Sequence, residues 1–416
     1  MAGNRKRSRR HRDPCAGPQQ CDVPLLSGGA SDSPQSGPAT GKRGARLARR
    51  AGRAQRSAHG AGADNRGSPF LGQERDGHGE GNPEIPVHRA GAKLYQLIEA
   101  GQKKGVAQKV TPSTGLAFLF QRLSNDLASQ RAEFLSQVLA LASTRVAGDS
   151  DYARLTLGRS YATADNHDLA VAEYSRIGPD SPYFLVGLSS EIASLVANED
   201  YGRAIGRLDS ALNGNPEAPE LYILKGQTLQ AQGENAAAAA AFEQAVALGE
   251  QAKRSDLVMA NYWLALGGAQ EQAGIWPEGL ESLRKANELL PNSPTILNYL
   301  GYAQLERREN EAEAVAAIKQ AHELRSSSPA ITDSLGWAYF ITGEHERAVA
   351  YLETALEGQP QDPTINEHLG DAYWTVGRLY EARYAWKTAQ LFAEDEDAQR
   401  LASKIDLGLR PDLVSP

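Results

Sequence analysis

Cysteine and methionine are nearly missing from this sequence, with two of each in 416 residues. Both cysteines, Cys15 and Cys21, fall in the first 21 residues, so the remainder rests on neither a disulfide nor a cysteine-bound metal. Their spacing does not fit a zinc knuckle and no histidine pair accompanies them, so they read as ordinary thiols. No apolar run reaches the roughly 18 residues of a membrane-spanning helix, which excludes such a helix. The opening MAGNRKRSRRHRDP is basic but lacks the apolar stretch of a secretory signal, so the chain as written reads as cytoplasmic. The signatures GxxxxGK[ST], GxSxG, HExxH and GxGxxG are missing from any suitable context. The eight histidines are scattered. His345 and His368 stand apart and read as polar surface, because a catalytic base needs a partnered pocket. The expectation is a chain that is no enzyme, with no metal, no cofactor and no small-molecule substrate.

Charge is distributed unevenly. Residues 1–85 carry 15 Lys and Arg against 8 Asp and Glu, whereas the whole chain carries 44 against 51. An acidic body therefore follows a basic head. The head is rich in Gly, Ala, Arg, Ser and Pro and poor in β-branched and aromatic residues, too little apolar surface to offset the entropy of ordering, and it reads as disordered. Its arginine clusters, Arg5 to Arg10 and Lys42 to Arg50, suit nonspecific phosphate contacts. They lack the interleaved aromatics that stack single-stranded bases. The abrupt change near Ile85 also fits a mis-assigned start. In that case a lost leader would place the protein in the periplasm or at the envelope.

The body, by contrast, is rich in the helix formers Ala, Leu, Glu and Gln, and its Gly and Pro recur at regular intervals. In ITDSLGWAYFITGEHERAVAYLETALEGQP, the residues Leu335, Gly336 and Tyr339 precede Ala348, Leu352, Ala355 and Pro360. Thirty-four residues on stand Leu369, Gly370, Tyr373, Ala382, Trp386 and Ala389. The same frame fits Leu300-Gly301, Leu266-Gly267, Gly226 and Leu157-Gly158, giving seven units that begin near 151, 185, 219, 260, 294, 329 and 363. The second has Glu191-Ile192 in place of Leu-Gly, and several lack the closing Pro. Seven extra residues near Glu250–Asp256 predict a longer loop or a longer preceding helix. Each unit reads as two amphipathic helices joined by a short turn. One hairpin cannot bury its own apolar face, so the units stack. Residues 86–150 read as degenerate helices of the same kind, with a pair over 117–143 and a helix over Ala92–Gly101. Asp395 to Leu407 reads as a capping helix with apolar Ala398, Leu401 and Ile405, stopped by Gly408 and Pro411.

This spacing resembles the tetratricopeptide-repeat (TPR) consensus. The resemblance implies an all-α superhelix, a solenoid of about seven helix-turn-helix units over 151–394, with a cap and tail over 395–416. In TPR proteins, positions 5, 9 and 12 of the first helix of each unit face the bound peptide. Carried onto the last three units, these are Asn298, Tyr302 and Leu305, then Asp333, Trp337 and Phe340, then Glu367, Asp371 and Trp374. They form an aromatic band flanked by carboxylates, and the alternative is that the aromatics pack between neighbouring helices. TPR clamps for acidic C-terminal chaperone tails use Lys at position 5 and Asn at position 9. Both are missing here and the carboxylates would repel such a tail, so the expected partner is a protein or peptide with apolar anchors.

The stretches LNYLGYAQLERREN, ITDSLGWAYF and INEHLGDAYWTVGRLYEARYAWKTA are similar to bacterial cell-envelope TPR proteins of proteobacteria. That likeness implies a non-catalytic adaptor or scaffold in envelope assembly or proteolysis. The alternative function is a nucleic-acid-associated protein that binds through its basic head; salt would dissociate that complex but not an apolar one.

Overall fold

In a computed structural model of the chain, the described residues are 111–415 other than Asp149 and Glu394. The basic head and the helix expected over Ala92–Gly101 lie outside the described residues. The described part is all-α, with seventeen helices and no strand among the described residues. They run as hairpins: α1 (Pro112–Ser129) with α2 (Glu133–Ala147), α3 (Asp151–Thr163) with α4 (His167–Tyr174), and α5 (Phe184–Ala197) with α6 (Tyr201–Gly214). Next come α7 (Pro219–Ala231) with α8 (Asn235–Gln251), α9 (Asp256–Gln272) with α10 (Trp276–Leu289), and α11 (Pro294–Glu306) with α12 (Glu311–Leu324). The last are α13 (Pro329–Ile341) with α14 (His345–Gly358), α15 (Pro363–Thr375) with α16 (Leu379–Phe392), and a single closing helix, α17 (Asp395–Leu407). Each helix packs on the next, which makes a solenoid.

Local chemistry fixes where the helices start and stop. Proline opens α7, α11, α13 and α15, where its fixed φ suits the first turn and its missing N–H costs nothing. Asp362 caps α15 through Oδ1, which accepts hydrogen bonds from the Thr364 and Ile365 amides at 2.9 and 3.0 Å. Every hairpin turns through a left-handed residue, Arg131, Asp165, Glu199, Gly233, Gly274, Arg308, Gly343 or Gly377, and the α11–α12 turn adds a second, Asn310. Arg131 stands 34 residues before Asp165, so α1–α2 obeys the same spacing as the units after it. The seven extra residues near Glu250 are shared out, since α8 and α9 are both 17 residues long and only a short turn parts them.

The Leu-Gly signature has a steric cause. A Cβ on Gly336 would lie 2.7 Å from Cγ of Leu352, the large residue of the opposing helix. The equivalent glycines Gly158, Gly226, Gly267 and Gly301 face Tyr174, Phe242, Leu283 and Ile318 in the same way. Small on one helix and large on the other lets the two axes approach closely. Where Ile192 replaces the glycine, α5 and α6 approach less intimately. Gly336→Ala is expected to destabilise by about 1–3 kcal/mol through overpacking, read as a lower urea midpoint at constant m. An unchanged midpoint would mean that α13 and α14 have room to part.

Candidate partner-binding face

The first helices of the last two units and α17 meet at two junctions, where Asp333, Trp337, Glu367 and Asp371, at positions 5 and 9, contact the next helix. At the α13–α15 junction, His368 is fully buried, with Nδ1 3.0 Å from both carboxylate oxygens of Asp333. Its ring stacks on Trp337 at 4.1 Å between centroids, and Trp337 stacks in turn on Phe340 at 4.6 Å. Burial opposes charge on His368, but the carboxylates of Asp333, Glu367 and Asp371 together outweigh it and raise the imidazole above its ordinary value. The polar-surface expectation for His368 is therefore corrected: the histidine is an internal partner of Asp333, not a surface residue.

At the α15–α17 junction, Lys404 is completely buried. Its Nζ donates to Glu367 at 2.7 Å and to both oxygens of Asp371 at 2.8 and 2.7 Å. Arg400 adds two hydrogen bonds to Glu367, at 2.8 and 2.7 Å. Asp371 also accepts from Trp386 Nε1 at 2.8 Å and from the Ser415 amide at 3.0 Å. Burial would push Glu367 up, but Arg400 and Lys404 reverse the effect and hold it at about 2. Asp371 goes the other way: burial dominates over Lys404 and raises it. The difference follows from Glu367 having two cationic partners where Asp371 has one. A third junction, α9–α11, pairs Glu271 with Arg307 at 2.5 Å and Tyr299 Oη at 3.3 Å.

The nine residues placed on the peptide-facing stripe thus divide. Leu305, Asp333, Trp337, Glu367 and Asp371 are buried. Asn298, Tyr302, Phe340 and Trp374 are half-buried and keep part of their side chains in solvent. Asp333, Glu367 and Asp371 are neutralised inside the stack, so their expected repulsion of an acidic ligand is not available at the surface. Lys404, Arg400 and His368 were missed by the sequence reading. Lys404 had a signal, because it falls three residues after Leu401 on the apolar stripe of α17, where a lysine demands a buried partner.

Among the described residues no helix is long and apolar enough to cross a membrane, and no cluster of His, Cys, Asp or Glu could hold a metal ion. A shallow cavity of about 280 Å³ lies between α2, α3 and α4, lined in part by Arg145, Arg154, Glu173 and Arg176.

Residues 192–253 and 249–389 match two tetratricopeptide-repeat families. A search of curated proteins finds no match. Among solved structures, a tetratricopeptide repeat protein from Parabacteroides merdae is 14% identical with a TM-score of 0.50, covering 63% of this chain and 100% of that one. The APC/C hetero-tetramer Cut9–Hcn1 is 14% identical with a TM-score of 0.49; the alignment covers 78% of this chain but spans only 59% of that one. YrrB, described as a TPR protein with an unusual peptide-binding site, is 17% identical over 47% of this chain and 97% of its own, with a TM-score of 0.34. Residues 192–389 thus carry tetratricopeptide repeats, and the described chain folds as a tetratricopeptide-repeat solenoid.

Proposed function

We propose that this protein is a non-catalytic scaffold that holds a partner polypeptide along the first-helix face of its last three units. The observation that carries the proposal is the position of Tyr302, Phe340 and Trp374. They stand on three successive first helices, α11, α13 and α15, and each is partly exposed, with Phe340 stacked on Trp337 and Trp374 tilted against Trp386. Braced, half-exposed aromatics supply contact area at low entropic cost, which is what anchors a peptide or protein partner. Apolar side chains of the partner would seat on these rings, beside Asn298. An acidic C-terminal tail remains a poor ligand, now for want of a lysine clamp rather than because of repulsion, since Asp333 and Glu367 occupy position 5.

The direct test replaces Tyr302 with a photo-crosslinking phenylalanine analogue in the full chain, with Glu346 on the opposite helix α14 as the control position. Partners are expected to crosslink at 302 at least tenfold more than at 346. Equal yields at the two positions would remove the first-helix face from the proposal.

A further inference from the structure

The solenoid is closed at its C-terminal end by α17, but the first described helix presents an apolar stripe to solvent. Leu116, Leu119 and Leu123 on α1 are 43%, 49% and 40% exposed. Counted from the left-handed turn residues Arg131 and Gly274, these three occupy the places that Met259, Tyr262 and Leu266 hold on α9, where all are buried. Leu119 and Leu123 likewise correspond to Ile296 and Leu300, and to Ile365 and Leu369, each buried. On α9 the stripe meets the helix before it in the chain: a Cβ on Gly249 of α8 would lie 2.8 Å from Met259 Sδ and 3.2 Å from the Tyr262 ring. The stripe on α1 thus has the register of the surface that α9 presents to α8.

We infer that residues 92–101 cover this stripe, docking as a helix across Leu116, Leu119 and Leu123 and sealing the N-terminal end of the stack. This segment carries Leu94, Leu97 and Ile98 at i, i+3 and i+4. The same spacing brings Phe242, Ala245 and Val246 of α8 into the buried core that includes Met259, Tyr262 and Leu266. Ile98 precedes Leu116 by 18 residues, against 13 from Val246 to Met259, so the connector is long enough to return the chain to α1. Gly101 and Gly105 interrupt the helical pattern between the two segments, which permits the turn. An end unit of a solenoid needs a cover, because a bare apolar face invites association with another chain.

The experiment compares the full chain with its Leu94→Glu/Leu97→Glu/Ile98→Glu variant by hydrogen exchange and light scattering. Amides of 112–129 are expected to exchange at least tenfold faster in the variant, with rising binding of an apolar dye. Unchanged exchange over 294–375 shows that the rest of the fold is intact. If 112–129 exchanges equally in both proteins while wild type is monomeric, the segment does not dock there. If wild type is a dimer whose 112–129 protection falls on dilution, a second copy covers the stripe and the inference is overturned. A second arm, in a Cys15→Ser/Cys21→Ser background, pairs Leu97→Cys with Leu119→Cys. An intramolecular disulfide is expected on oxidation, and exclusively intermolecular bridges contradict the docking.

Discussion

Lys404→Met should destabilise the C-terminal end of the protein by about 3–5 kcal/mol, the usual cost of leaving a buried charge without its partner. Lys404 is completely buried and sits between two carboxylates that are themselves 3% and 0% exposed. Methionine matches the aliphatic stem but removes the one cation that Asp371 possesses, while Glu367 keeps Arg400. The penalty therefore falls mainly on Asp371, which burial already pushes upward, and the variant would take up a proton there as it folds. Because a solenoid couples each unit only to its neighbours, the damage should be local. Hydrogen exchange over 363–407 should lose protection while 151–250 keeps it. An unchanged unfolding midpoint, with protection retained over 363–407, would show that the buried cluster does not carry the end unit.

The same cluster explains why α17 belongs to the last unit rather than trailing from it. Ser415 donates its amide to Asp371, and Leu401, Ile405 and Leu409 join the apolar core formed by Trp386, Leu369 and their neighbours. Acid should remove the Glu367 contribution, while the raised Asp371 works in the opposite sense. Glu367 is held at about 2 against an ordinary 4.5, so its stabilising contribution is complete above about pH 4.5 and is lost as pH falls toward 2.

How much of this was legible depended on whether a position has one structural meaning. Gly336 opposite Leu352 has one meaning, because a larger residue does not fit there, and the turn at Gly343 marks a hairpin even though Arg131, Asp165, Glu199 and Arg308 make the equivalent left-handed turns elsewhere. The 34-residue spacing of those residues is what exposes the hairpins in the sequence. A carboxylate on a first helix has two meanings. Asp333, Glu367 and Asp371 would look the same whether they met a ligand or the next helix, and only the partners, His368 on α15 and Lys404 on α17, distinguish the cases. Those partners lie 33 to 37 residues away and outside the repeat consensus. Trp337 is a similar case: its ring is sandwiched between Phe340 and His368, so the aromatic band contains one interior member that no partner reaches.

The His368–Asp333 pair should make the C-terminal units lose stability as the solution becomes alkaline. His368 is faced by Asp333 on α13, by Glu367 and Asp371 on α15 and Asp362 at its N-cap, and by Glu306 at the end of α11, with Lys404 beyond Asp371 on α17. Burial disfavours the imidazolium, yet the surrounding carboxylates, led by Asp333, raise it above the ordinary 6.5. A histidine raised in the folded state contributes stability that is complete below about pH 6.5 and is lost as pH climbs through the folded value. Each unit of upward shift is worth about 1.4 kcal/mol. Urea midpoints followed by exchange over 329–392 should therefore fall between pH 6 and 9 in the wild type. The Asp333→Asn/His368→Phe double variant keeps a flat ring against Trp337 and removes both charges, so its midpoints should change less over the same range. Parallel slopes for the two proteins would show that His368 is neutral in the fold, and the seam would then be held by stacking and a single neutral hydrogen bond rather than by an ion pair.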